Sequence, residues 1–225
     1  HAFLPVHKVH CWSGNAKAFA THKCSSFTNS SLFSQLLIKY NIAIRFAKSM
    51  LVNCSVAKER ASQHTRLRAL RDQLPSGTVC LVSQDDYYHP IHKQLTDANG
   101  KVNFDLPEGI DLDLLADDLR SLANGEPIYK QEYTFNQPGV EPKWLEVRPA
   151  PVILVEGLFV FHHRPVRELF DLKVFVEASE NVQFQRRLSR DAAERGYSPD
   201  DMRYQWDNHV MPAYRDYLLP YRSLC

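Results

Sequence analysis

Strand-like and helix-like segments alternate from residue 66 onward, and this alternation restricts the fold more than any other feature of the sequence. The run TVCLVSQ indicates a buried strand, and DLDLLADDLRSLANG repeats leucines at helical spacing before Gly125. APVILVEGLFVF and LKVFVEA indicate further strands, and the first of them lacks a polar face, as a central strand covered on both sides does. The order predicts one α/β domain with a parallel sheet flanked by helices.

Four other segments have helical character. RLRALRDQL, residues 66–74, places leucines on one face and ends at a Pro-Ser-Gly turn, and VRELF indicates a short helix between two strands. NVQFQRRLSRDAAERG predicts a longer basic helix. The aromatic-rich tail MRYQWDNHVMPAYRDYLLPYR predicts helix with an interruption at Pro212.

Charge divides the chain into two differently composed pieces. The 225 residues carry a net charge of +1, yet no Asp or Glu precedes Glu59, while seven Lys or Arg do. The rest of the chain therefore carries an acidic excess. We expect residues 1–65 to form an unmatched, poorly ordered or non-native segment, and residues 66–225 to form the domain.

Several classes of protein are excluded by composition. The five cysteines form neither a C-x-x-C pair nor a zinc-ligand spacing, so we expect a reducing, cytoplasmic setting. The apolar stretch at residues 31–52 is interrupted by Lys39, Arg45 and Lys48, which predicts no membrane span. No nucleic-acid-binding motif is present in the acidic part. Small molecules are the expected ligands.

A polar stretch, VSQDDYYHP, follows the first predicted strand directly. Ligands of parallel α/β sheets bind just beyond the carboxyl ends of strands, so a carboxylate there meets a substrate hydroxyl. Asp85 is therefore a candidate general base. The alternative is a cap on the following turn, which is the more common role of a lone Asp after a strand.

Two further segments carry residues suited to phosphate chemistry. VILVEG ends in Glu156, at a position where an acid can orient magnesium, although a strand-terminal Glu is as often a solvated loop residue. FQRRLSRDAAERG brings Arg187, Arg190 and Arg195 close to one helical face, and arginine donates paired hydrogen bonds to phosphate. The alternative is a solvated basic face with salt bridges to Asp191 and Glu194.

The order of these motifs resembles one known family. SQDDYY is similar to its S-Q-D-x-[FY]-Y, NFDLPEGID to N-F-D-x-P-x-x-[FI]-D, and RRLSRDAAERG to its lid R-R-x-x-R-D-x-x-E-R-G. VILVEGLFVF resembles its strand carrying E-G. Over residues 66–222 the sequence resembles the uridine kinase family, within the phosphoribulokinase and uridine kinase group. The resemblance implies a P-loop-kinase-like fold with a helical lid at residues 184–198.

The resemblance implies an acceptor site made of five residues. Asp85 would take the proton from the ribose 5′-hydroxyl of a pyrimidine nucleoside. Tyr88 and Asp105 would hold the sugar, Tyr133 would pack on the base, and Gln205 would form a hydrogen bond near it. In such enzymes positioning and charge neutralisation supply most of the catalysis.

The resemblance also implies ATP and Mg²⁺ as the phosphate donor and its cation. Glu156 would serve magnesium, and the lid residues Arg187, Arg190 and Arg195 would steady the nucleoside and the transferring phosphate. Small-molecule nucleoside and ATP are therefore the expected partners, with a homo-oligomer implied by the family and neither nucleic acid nor membrane expected.

Two single positions and one loop depart from the family pattern. A His expected five residues after the base-packing tyrosine is Pro138 here, and an Arg expected after E-R-G is Tyr197. A phosphate-binding loop, G-x-x-x-x-G-K-[ST], should precede LRALRDQL, but KERASQHTR occupies residues 58–66. Gly14 is the only glycine before Gly77, so the printed sequence lacks this loop. We expect ATP binding to be severely weakened.

Three interpretations of residues 1–65 stay open. The segment is an organelle-targeting extension, a genuine replacement that makes the chain a non-catalytic relative, or a non-native stretch from a misread frame or unspliced segment. The third is favoured because it explains both the composition and the abrupt loss of the loop. Under it, the domain is truncated at both ends.

The predicted function is ATP-dependent phosphorylation of the 5′-hydroxyl of a pyrimidine nucleoside, in pyrimidine salvage, impaired here by loss of the loop. One alternative is another kinase of the group that acts on a ribosyl or sugar substrate. The other is a non-catalytic subunit that binds nucleoside and partners an active relative.

Overall fold

A five-stranded sheet forms the centre of the protein, for which a computed structural model describes residues 8–13, 49–55, 75–134, 140–195 and 197–225. The order of the strands across the sheet is β1-β7-β2-β6-β3. Strands β7, β2, β6 and β3 run parallel, and β1 is antiparallel to β7. A separate antiparallel pair joins β4 and β5. The strands are β1 (Lys8–Ser13), β2 (Ser49–Ser55), β3 (Val79–Ser83), β4 (Ile128–Gln131), β5 (Trp144–Val147), β6 (Val152–Glu156) and β7 (Phe170–Glu177).

Helices and single turns connect and flank these strands, as the predicted α/β class requires. The α-helices are α1 (Leu112–Ala123), α2 (Arg164–Arg167), α3 (Glu180–Arg195), α4 (Pro199–Gln205) and α5 (Met211–Ala213). Short 3₁₀ turns occupy Gln84–Tyr87, Ile91–Lys93, Pro107–Gly109 and Leu219–Leu224, and widened π turns occupy Trp206–Val210 and Tyr214–Leu218. Within the described ranges, none of these helices is long and apolar enough to cross a membrane.

The core lies between the sheet and α1. All five residues of β6 are buried, as the continuous apolar run predicts, and Val82 of β3 is buried with them. Helix α1 turns Leu115 and Leu119 toward these strands. Its first turn is capped by Asp111, whose side chain accepts a hydrogen bond from the amide of Leu114 at 2.9 Å.

The carboxyl ends of three strands lie side by side. Ser83 of β3 is in register with Glu156 of β6, and Glu156 is in register with Asn53 of β2. Strand β2 lies between β6 and β7, so the segment before residue 66 supplies a central strand as well as β1. Whether residues 1–65 are native stays a prediction. The predicted helix at 66–74 and the missing-loop position at 58–66 lie outside the described residues.

Two local predictions are corrected by the structure. The helix predicted for VRELF begins earlier and ends at Arg167, because Pro165 favours a helical first turn, and Phe170 already belongs to β7. Pro212 does not break the tail. It lies in the first turn of α5 after the π turn Trp206–Val210, and such a widened turn is a common irregularity near a residue that cannot donate a backbone hydrogen bond.

Candidate active site

Asp85 and Glu156 meet at the edge of the sheet through Ser83. The Ser83 hydroxyl donates a hydrogen bond to Oε1 of Glu156 and accepts one from the amide of Asp85 at 3.3 Å. Strand β3 therefore leads into the tight turn Gln84–Tyr87, which carries half-buried Asp85, and Glu156 at the end of β6 is buried. Two predicted site residues, 71 positions apart in the sequence, are brought together by the parallel register of β3 and β6.

Tyr88 and Tyr133 form an aromatic pair next to this edge. Their ring centroids are 5.4 Å apart, and the Tyr88 ring also meets Phe104 edge-on at 6.2 Å. The Tyr88 hydroxyl donates to the carbonyl of Phe104 at 3.0 Å, so the ring is fixed in place. The structure thus brings together the two tyrosines predicted to hold a sugar and a base.

Asp105, Arg187 and Gln205 form a second predicted group. The Arg187 guanidinium donates to Oε1 of Gln205 at 3.0 Å and lies 3.8 Å from Oδ2 of Asp105. It also lies 3.2 Å from Oδ2 of Asp191, one turn along α3. Arg187, Asp105 and Asp191 are all buried, so the solvated-face interpretation is wrong for Arg187.

A small pocket lies next to Asp105 and Arg187. It is lined by Asp105, Leu158, Phe159, Arg187, Val210, Ala213, Tyr214 and Leu218. The lining is mainly apolar apart from Asp105 and Arg187.

The remaining lid predictions are only partly covered by the structure. Arg190 and Arg195 lie on α3, but their side chains are outside what is described, as is Pro138. Tyr197, which stands where an Arg was expected, is exposed. The roles of the two arginines stay predictions.

Two residues near the site were missed by the sequence analysis. Lys130 of β4 is buried, and its Nζ lies 2.6 Å from Oδ2 of Asp86. In the structure Ile128 and Lys130 are buried while Tyr129 and Gln131 are exposed, an alternation that the residue types IYKQ do not indicate in the sequence. A lysine at the inward position of an alternating strand indicates a buried partner, but the sequence does not identify that partner as Asp86.

Burial also raises the pKa of two neighbouring groups, the thiol of Cys80 and the hydroxyl of Tyr87. Desolvation raises the pKa of the Cys80 thiol on β3 to about 11, which makes it inert as a nucleophile at neutral pH. Burial, reinforced by the charge and hydrogen bond of Asp118, raises the pKa of Tyr87. Tyr87 therefore acts as a neutral hydroxyl, and it donates to Oδ2 of Asp118 at 2.7 Å.

The donor set fits magnesium held mainly by phosphate. Among the described residues no group of three or more His, Cys, Asp or Glu side chains could hold a metal ion. Mg²⁺ in phosphate-transferring sites takes one or two carboxylates, with phosphate oxygens and water completing the shell. Glu156, oriented by Ser83, offers one such carboxylate, and a full protein cage is not needed.

Several known proteins are similar to this chain. The model of the phosphoribulokinase / uridine kinase family matches residues 65–224. "Uridine kinase" of Brevibacillus brevis is 32% identical over 69% of this chain and 73% of its own length. "Uridine-cytidine kinase B" of Dictyostelium discoideum is 32% identical over 66% of this chain, and the match spans 61% of that relative.

A solved structure shares the fold. A putative fructose transport system kinase from Silicibacter sp. TM1040 superposes with a TM-score of 0.55, covering 80% of this chain and 89% of that one. At 15% identity this likeness concerns the fold alone. It agrees with the predicted P-loop-kinase-like arrangement of a parallel sheet flanked by helices.

Proposed function

The chain belongs to the phosphoribulokinase / uridine kinase family, and from that premise we propose that its domain serves the transfer of the ATP γ-phosphate to the 5′-hydroxyl of a pyrimidine nucleoside. The observation that carries the proposal is that the Ser83 hydroxyl binds both the Glu156 carboxylate and the backbone amide of Asp85, which brings these two residues to the ends of neighbouring parallel strands. A base and a magnesium ligand are required side by side in phosphoryl transfer, because the hydroxyl attacks the phosphate that the cation neutralises.

The proposed roles of the acceptor-site residues are those that the family resemblance implies. Asp85 accepts the proton of the attacking hydroxyl, and Glu156 would hold Mg²⁺, which would neutralise charge on the phosphates. The carboxylate of Asp105 accepts hydrogen bonds from the sugar hydroxyls, and Tyr88 encloses the sugar. Tyr133 packs on the base.

The lid residues act by charge and orientation. Arg187 donates a hydrogen bond to Gln205 and lies beside Asp105, and these contacts support its assignment to the nucleoside. Arg190 and Arg195 are assigned to the transferring phosphate from the family resemblance. Gln205 is assigned to a hydrogen bond near the base.

We expect this chain to bind ATP, the phosphate donor, poorly. The sequence contains no G-x-x-x-x-G-K-[ST], and such a loop supplies backbone N–H groups and a lysine to the ATP phosphates. The nucleoside half of the site does not use that loop. Nucleoside binding should therefore be retained while ATP binding and turnover are lost.

This division favours a second candidate, a non-catalytic subunit that binds nucleoside and assembles with an active relative. A further alternative within enzymes is a kinase of another ribosyl or sugar acceptor, favoured by Pro138 and Tyr197 at two expected base-recognition positions. A cytoplasmic role in pyrimidine salvage and a homo-oligomeric state are part of the proposal.

The test measures binding and turnover separately. Calorimetry with the purified chain uses uridine, cytidine, a purine nucleoside and a free pentose, and turnover is followed with labelled ATP. A second chain carries a G-x-x-x-x-G-K-[ST] loop in place of residues 58–66. Pyrimidine binding with turnover only after loop restoration supports the kinase.

The other outcomes separate the alternatives. Turnover with a different acceptor supports the sugar-kinase candidate, and binding without turnover in the restored chain supports the binding subunit. Failure of both chains to bind any nucleoside or pentose contradicts the proposal.

A further inference from the structure

A buried ion pair joins the turn after β3 to the β4–β5 hairpin. The side chains of Lys130 and Asp86 are 6% and 16% exposed, and Nζ and Oδ2 lie 2.6 Å apart. The ammonium group also lies 3.5 Å from the carbonyl of Ser83, at the last position of β3. A buried ammonium ion is costly unless it is paired, so this pair constrains both segments.

The second carboxylate oxygen of Asp86 also contacts the segment between β4 and β5. Oδ1 accepts a hydrogen bond from the amide of Tyr133 at 3.3 Å. Both oxygens of one carboxylate therefore contact the segment that carries Tyr133. Tyr133 in turn lies against Tyr88, two residues beyond Asp86.

The same lysine lies near a third element. Its Nζ is 5.1 Å from the centroid of the Tyr87 ring, within the range of a cation–π contact. The Tyr87 hydroxyl is bound to Asp118 on α1. Lys130 of the hairpin thus contacts both the end of β3 and the turn that follows it. Tyr87, which lies under its ammonium group, connects this region to α1.

The adjacent carboxylates Asp85 and Asp86 have different surroundings. Asp86 is paired with Lys130, whereas Asp85 directs its amide to Ser83 and lies at the sheet edge beside Glu156. The ammonium group of Lys130 balances the negative charge of Asp86, the residue next to the candidate base Asp85. The ion pair between Lys130 and Asp86 also fixes the direction of the turn on which Asp85 lies.

We propose that Lys130 is a positioning residue of the acceptor site, which through its ion pair with Asp86 holds the Asp85 turn against the hairpin bearing Tyr133. The identity of the ligand, a nucleoside whose base packs on Tyr133, rests on the proposed function. The positioning itself rests on the ion pair and the two hydrogen bonds.

The first test compares Lys130→Met with Lys173→Met. Lys173 is the matched control because it is also a buried lysine, and it lies on β7, separated from β3 by β2 and β6. Lys130→Met should lose stability because it leaves the carboxylate of Asp86 without its ammonium partner, whereas Lys173→Met reports the effect of replacing a buried lysine elsewhere in the sheet. Lys130→Met alone should weaken uridine binding at least tenfold in calorimetry, and in the loop-restored chain it should raise KM for uridine while leaving KM for ATP within twofold.

A double variant separates charge from position. Removing one partner leaves a buried unpaired ion, whereas removing both does not, so Asp86→Asn with Lys130→Met should unfold at higher urea than Lys130→Met alone. Uridine affinity should stay low in the double variant. Wild-type affinity in Lys130→Met, or equal losses in both lysine variants, would overturn the proposal.

Amide hydrogen exchange tests the positioning role of Lys130 in the protein without a bound ligand. Lys130→Met should accelerate exchange at Tyr133 and Asp85 at least tenfold relative to Lys173→Met, compared at pH and temperature where both are folded. If wild-type protein binds no nucleoside, the proposed function fails, and the positioning role is still judged by this exchange. Unchanged protection at Tyr133 would refute it.

Discussion

Gln84 fills the space that a side chain at position 157 would need. A Cβ placed on Gly157 would overlap Cβ and Oε1 of Gln84, which is completely buried. The Gln84 side chain cannot move away freely, because Oε1 accepts the amide of Phe159 at 2.8 Å. The glycine after Glu156 therefore serves close packing of the two strand ends, next to the candidate site.

Gly157→Ala should destabilise the protein by about 1–3 kcal/mol, since overpacking a closed site forces atoms to shift. The free energy of unfolding is measured by urea denaturation. In a Gln84→Gly background, which removes the overlapping Cβ, the cost of Gly157→Ala should become smaller. An equal cost in both backgrounds would show that Gln84 is not the obstacle.

Asp85→Asn in the loop-restored chain should lower kcat by about 10²–10⁴, because a positioned base contributes about that factor. ATP and uridine binding should be retained, since Asn keeps the shape of the side chain. Asp117→Asn is the matched control, as Asp117 is an exposed carboxylate on α1. Equal turnover in Asp85→Asn and wild type would remove Asp85 as the base.

Strands β3, β6 and β7 of the central sheet were predictable because they are apolar runs rich in β-branched residues, whereas the short strands β4 and β5 were not predicted. Asp85 and Glu156 were identified because each directly follows such a run, and ligand sites lie at the carboxyl ends of parallel strands. The register that places Ser83 beside Glu156 was not predictable, because pairing between distant strands depends on tertiary packing.

Contacts distant in sequence account for most of what was missed. Lys130 and Asp86 are separated by 44 positions, and no local pattern indicates which acid a buried lysine meets. Arg187 and Asp191, in contrast, have the i, i+4 spacing of a surface salt bridge, and only the packing of α3 makes the pair buried. Strand β2 is supplied by a segment that composition alone did not assign to the sheet.

Arg187→Met should destabilise the protein by about 3–5 kcal/mol, because it removes the guanidinium that faces the buried carboxylates of Asp191 and Asp105. Adding Asp191→Asn should recover part of this loss. Arg203→Met is the control, since Arg203 and Asp207 have the same i, i+4 spacing but are exposed. That control should cost about 0–1 kcal/mol in urea denaturation. Similar costs at both arginines would contradict a buried role for Arg187.

Asp97 connects the loop near Thr96 to the helical tail. Its carboxylate accepts hydrogen bonds at 2.7 Å from both the Tyr204 hydroxyl and Nε2 of His209, and further bonds from the amides of Lys101 and Asn99. The Tyr204 bond, followed by those from His209, Lys101 and Asn99, lowers the pKa of Asp97 against a smaller opposing effect of desolvation. The charged form is thus the one that the folded protein stabilises.

The sign of the resulting pH dependence follows from linkage. Because the folded pKa lies below the unfolded value of about 3.9, the contribution is complete above that value and is lost as pH falls toward the folded pKa. The difference in urea midpoint between wild type and Asp97→Asn should therefore be largest near neutral pH and shrink below about pH 4. Asp207→Asn, at an exposed acid, should show a difference that hardly varies over the same range. A constant difference for Asp97→Asn would show that the network does not favour the ionised carboxylate.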